Sequence, residues 1–79
     1  MFQLDKTYVT DEDIKLLNWE IASSSSSNKG VKTAEELIDF VYSHMTNEMK
    51  EQLQEEGYGA IEFWGTGYFE FDHLVTEVL

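Results

Sequence analysis

The chain has 79 residues, 42% of them apolar and 14% aromatic, which suits one small domain burying about 60% of its unfolded surface. It contains no cysteine, so disulfides and cysteine zinc sites are excluded; sixteen acids against five lysines give a formal charge of -11. With no arginine to grip phosphate bidentately, direct binding of nucleic acid is disfavoured.

Residues 1–9 alternate weakly, with Phe2, Leu4 and Tyr8 on one side, and read as a strand. Thr10 before Asp11, Glu12 and Asp13 is an N-cap followed by acids that complement the helix dipole. Ile14, Leu17 and Ile21 then recur at helical spacing, predicting a helix over about 11–22. "SSSSSNKG" (23–30) reads as a mobile loop inside a single domain spanning 1–79, because neither side holds enough apolar residues for its own core.

Thr33 and Glu36 form a capping box, so a helix begins at Ala34, with Leu37, Ile38, Val41, Met45 and Met49 as its apolar stripe and Gly57 as its stop. Either this helix runs unbroken to 56, or it kinks at 46–47 with Thr46 capping a second helix. Glu48, Glu51 and Glu55 cluster on its outer side. The stretch "GYGAIEFWGTGYFEF" (57–71) then reads as a hairpin about a three-residue "GTG" loop, with Gly67 left-handed. That register sets Trp64 against Tyr68, Phe63 against Phe69, Glu62 against Glu70 and Ile61 against Phe71. One face carries Ile61, Phe63, Phe69 and Phe71; the other carries Glu62, Trp64, Tyr68 and Glu70, with Asp72 one step further on. Residues 73–79 read equally as a last strand or as a short helix capped by Asp72. The fold class is therefore a small α+β domain, a short antiparallel sheet with a C-terminal hairpin packed against two or three helices.

Motifs for chemistry are missing where they would count. Neither "GYGAIE" nor "GTGYFE" completes a dinucleotide fingerprint, and no G-K-[ST] follows a glycine loop. "GYFEF" is similar to the strand that stacks RNA bases in ribonucleoprotein modules, but acids flank it where that module uses basic residues. Glu70-x-x-His73 matches half of a two-copy carboxylate metal site on a helix, and occurs once. His44 lies off the apolar stripe and reads as a solvated side chain. No catalytic residue, metal or cofactor is expected.

Charge carries the functional signal. Residues 1–50 hold nine acids and all five lysines, whereas 51–79 hold seven acids and no base. Such a one-sign surface repels itself and attracts basic partners from a distance. Glu62 against Glu70 would be a like-charge cross-strand pair, which costs stability, beside an aromatic pair of a type enriched in interface hot spots. Glu62, Trp64, Tyr68, Glu70 and Asp72, with the Glu48, Glu51, Glu55 row, are the expected partner-binding residues. Carboxylates spaced roughly 6.8 Å apart along a strand match alternate phosphates of a DNA strand.

In length, charge and lack of a catalytic motif, the chain resembles the small acidic inhibitors of phages and other mobile elements, including anti-CRISPR and antirestriction proteins that imitate DNA. It is similar in the same respects to immunity proteins that neutralise nuclease toxins. The resemblance implies a non-enzymatic inhibitor that occupies the nucleic-acid site of a basic partner, a nucleic-acid-binding protein or nuclease, and it assigns no role to any one residue. The sequence also lacks an apolar run near 18 residues and a signal-peptide layout, so a cytoplasmic protein without a membrane partner is expected. The alternative is an assembly module, a homodimer formed through the aromatic hairpin face. A small enzyme or metal protein using His73 and Glu70 ranks third.

Overall fold

A computed structural model of the chain describes residues 1–24, 29–63 and 67–78. In chain order these form β1 (Phe2–Leu4), α1 (Asp11–Ser24), α2 (Ala34–Ser43), α3 (Asn47–Glu56), β2 (Ala60–Phe63), β3 (Gly67–Glu70) and β4 (Val75–Glu77), with 3-10 turns at Lys6–Tyr8 and Asp72–Leu74. The class is α+β. The strands are divided between two antiparallel pairs, β1 with β4 and β2 with β3. Helix α1 packs on the β2–β3 pair and α3 packs on β1.

Each helix starts where a side chain can satisfy its first free amides. The Thr33 hydroxyl accepts from the Glu36 N–H at 3.1 Å, and the Glu36 carboxylate accepts from the Lys32 N–H at 3.2 Å, one residue earlier than in the standard reciprocal box. Thr46 caps α3 by accepting from the Met49 N–H, so the run from 34 to 56 is two helices. Gly57 ends α3 at φ 77° in the left-handed region, where a Cβ would meet the Phe2 ring at 2.9 Å. Helix α1 extends through Ser23 and Ser24, beyond the expected end, and residues 25–28 of the expected loop lie outside the described residues. Past them, the Asn18 amide bonds both backbone groups of Val31, donating to its carbonyl at 2.9 Å and accepting its N–H at 2.7 Å.

The N-terminal strand is shorter than expected. Asp5 accepts from the Thr7 N–H and hydroxyl, which turns the chain into a 3-10 turn and leaves Tyr8 exposed, not beside buried Leu4. At the other end, the two readings of 73–79 both hold in part. A 3-10 turn at Asp72–Leu74 buries Leu74, and β4 then pairs with β1, Gln3 opposite Thr76. The turn's N-cap is Phe71, with no side-chain bond, so Asp72 is not its cap.

One core joins all layers. Leu17 and Ile21 from α1, Leu37 and Val41 from α2 and Leu53 from α3 meet Ile61, Phe63, Phe69, Phe71 and Leu74, all buried. The hairpin register corrects the expected one. Ile61 faces Phe69, Glu62 faces Tyr68, Phe63 faces Gly67 and Ala60 faces Glu70. Glu62 and Glu70 are thus diagonal neighbours, not opposite; Phe63 does not face Phe69, and Ile61 does not face Phe71. The expected Trp64–Tyr68 pairing is likewise overturned at Tyr68, which faces Glu62, while Trp64 itself lies outside the described residues. The shift is by two residues, and a two-residue slip returns every side chain to the same face. Burial therefore excludes a slip by one but does not distinguish these two registers. Gly67, at φ 136°, belongs to the ladder and not to the loop.

Candidate functional site

The outer hairpin face is built by the period of two along β2 and β3. With Ile61, Phe63 and Phe69 committed to the core, Glu62, Tyr68 and Glu70 are exposed on the opposite side. Tyr68 retains 65% of its surface. Its cross-strand neighbour is Glu62, so the acids here do not form the unfavourable like-charge pair that the sequence suggested. Glu48, Glu51 and Glu55 are exposed along α3.

Asp72 departs from the expected array. It sits in a 3-10 turn and its carboxylate accepts from the Gly59 N–H at 2.8 Å, tying the start of the hairpin to its end. The strand-like spacing from Glu70 to Asp72 is therefore absent. Close by, the Tyr58 phenol donates to Glu56; that bond and the charge behind it, with smaller contributions from desolvation and Asp72, hold the phenol above its ordinary ionisation range.

A second exposed surface adjoins this face and was not foreseen. The core stripe of α1 runs through Asp13, Leu17 and Ile21, which leaves Leu16 and Trp19 on its outer side, 50% and 62% exposed. Between α1 and β3 lies an open cleft of about 320 Å³, lined by Leu16, Glu20, Tyr68, Phe69 and Glu70 and ended by Asp13 and His73. Glu20 reaches across to β3, its carboxylate oxygens 3.8 Å from the place a Cβ on Gly67 would take. The sequence signal for this surface was an i, i+3 pair of large apolar residues, Leu16 and Trp19, lying off the Ile14, Leu17, Ile21 stripe.

Asp13 and His73, sixty positions apart, form the end wall. Asp13 is buried, 4% exposed, and its two oxygens take three donors: one accepts from His73 Nε2, the other from the Thr10 N–H at 2.9 Å and the Thr10 hydroxyl at 3.0 Å. Burial pushes this carboxyl up; the bond from the Thr10 N–H, those from His73 and the Thr10 hydroxyl, and the His73 charge outweigh it and hold the carboxyl below its usual range. "DED" is thus more than a helix-dipole device, since its third member locks α1 to the Asp72–Leu74 turn. His73 is committed to Asp13, not joined to Glu70 as a metal pair. Among the described residues no group of three or more His, Asp or Glu side chains is placed to hold a metal ion. His44, though exposed, is anchored: its ring stacks on Phe40 at 4.0 Å and its Nδ1 lies 2.8 Å from the Phe40 carbonyl.

The arrangement offers recognition chemistry. Tyr68 and Leu16 line the cleft with Glu20 and Glu70, and no lysine lines it; Lys15 lies on α1 one turn before Trp19, and Lys6 is paired with Glu35 at 2.9 Å. Among the described residues no helix is long and apolar enough to cross a membrane. Comparison with protein-family models, with curated proteins and with solved structures finds no match to this chain.

Proposed function

We propose that this chain is a non-enzymatic acidic inhibitor that occupies the nucleic-acid-binding surface of a basic partner protein in the cytoplasm, in the manner of DNA-mimicking anti-CRISPR and antirestriction proteins. The observation that carries this reading is the joint exposure of Tyr68 and Leu16 on one cleft with Glu20 and Glu70, Glu62 standing opposite Tyr68, on a chain whose last 29 residues hold seven acids and no base. Acids alone would serve solubility. Exposed large side chains beside them favour a contact surface, because aromatic anchors supply affinity while the charge supplies steering.

Local mimicry fits better than imitation of a whole duplex. The molecule is 39 Å long, and a duplex of that length carries roughly 23 phosphate charges, about twice the formal -11 of this chain. The partner is therefore held by a face of this protein, with Glu62, Glu70 and the Glu48, Glu51, Glu55 row as its acidic border.

Capture of partners from an extract of the native cell on the immobilised protein tests this reading. The expected result is a basic nucleic-acid-binding protein, retained at low salt and released both by raised salt and by double-stranded DNA. A partner that stays bound while saturated with DNA would overturn it.

A further inference from the structure

We propose that the cleft between α1 and β3 is a socket for one arginine side chain of the partner; this rests on the reading that the acidic face docks on a basic surface. Its volume, about 320 Å³, accommodates a single long side chain. Leu16, half exposed, supplies an apolar wall for an aliphatic stem. Tyr68, 65% exposed, lines the same cleft and offers an aromatic ring on which a flat guanidinium stacks. Glu70 and Glu20 supply carboxylates on the same cleft, and no lysine lines it.

The occupant follows from these groups together. A bare cluster of acids binds any cation, but here the carboxylates share the cleft with an aromatic ring and an aliphatic side chain. Arginine suits both parts, since its guanidinium is planar, weakly hydrated and presents a fork of donors; the lysine ammonium is compact and strongly hydrated. Asp13 takes no part in binding, because it is buried and both its oxygens already accept from His73 or Thr10. It ties the end wall together by holding His73. The acceptor that matters most is Glu70. Among the described residues its carboxylate enters no ion pair, the two ion pairs being Lys6 with Glu35 and His73 with Asp13.

The test is a titration of isotope-labelled protein at low salt, followed by NMR, with acetyl-Gly-Arg-Gly-amide, its lysine counterpart and its citrulline counterpart, which keeps the shape of arginine without the charge. The arginine peptide is expected to shift resonances of Leu16, Glu20, Tyr68 and Glu70 saturably, and to bind about threefold or more tightly than the lysine peptide. Citrulline should produce no saturable shift. Tyr68→Ala should weaken arginine binding about threefold, Tyr68→Phe should retain it, and Glu70→Gln should weaken it about two- to fivefold. Both sites are exposed, so the fold should survive. Equal arginine and lysine binding, or shifts confined to the α3 acids, would overturn the socket. Nona-arginine added at low salt separates the two levels: binding to α3 with a silent cleft removes the socket alone, whereas no binding of any cationic peptide contradicts the proposed function as well.

Discussion

Asp13 is the residue on which acid stability should turn. An aspartate in the unfolded chain ionises near 4, and in the folded protein burial pushes the carboxyl up but its three donors and the His73 charge outweigh it and leave it lower than that. Its stabilisation is therefore complete above the unfolded value and is lost as pH falls through the folded one. Asp13→Ala strips the partner from the Thr10 N–H and from His73, and should cost about 1–3 kcal/mol at neutral pH. Chemical denaturation across pH checks the sign: the gap between wild type and variant should narrow below about pH 4. Gly57 offers a second residue-scale test. Its left-handed φ of 77° and the Phe2 ring at 2.9 Å together make Gly57→Ala destabilising by about 1–3 kcal/mol, measured by the same unfolding curves.

At the scale of elements, local chemistry was legible and distant pairing was not. Thr33 and Gly57 mark helix ends because capping involves neighbours in sequence, whereas Thr46 offered a break that the sequence left open and the structure shows between α2 and α3. The inward set Ile61, Phe63, Phe69 and Phe71 was legible because it follows from alternation alone. Register was not, since a shift by two keeps both faces and only the turn residues distinguish the options. Cysteines test it directly in a chain that has none of its own. Cysteines at Ala60 and Glu70, which are direct partners, should cross-link on oxidation. Cysteines at Glu62 and Glu70 sit diagonally, roughly 7–8 Å apart, and should remain reduced. The reverse outcome would restore the Glu62–Glu70 pairing. The α1 face was not legible because Leu16 and Trp19 lie off the core stripe and only the packing of α1 beside β3 turns one of them toward the hairpin, and the Asp13–His73 tie joins residues that no local pattern connects.

Across the whole molecule, charge and shape set the expected behaviour. At -11 per chain, self-association must overcome like-sign repulsion, so sedimentation at tens of micromolar and low salt should give a single-chain mass. A stable dimer through Tyr68 would favour the assembly alternative. The candidate surface itself was half legible. Glu62, Tyr68 and Glu70 do share an exposed face, Glu48, Glu51 and Glu55 are exposed on α3, and Asp72 is spent on the Gly59 N–H. What the three-dimensional structure added is α1 beside β3, which turns a flat acidic strand face into a cleft with an apolar wall.

The most direct measurement of the central claim compares wild type with Glu62→Lys/Glu70→Lys for binding to the captured partner, with circular dichroism confirming the fold of each. Charge reversal at two exposed sites should leave the fold intact and abolish DNA-competitive binding. A folded double variant that binds its partner as tightly as wild type, with the same response to DNA, would contradict the account.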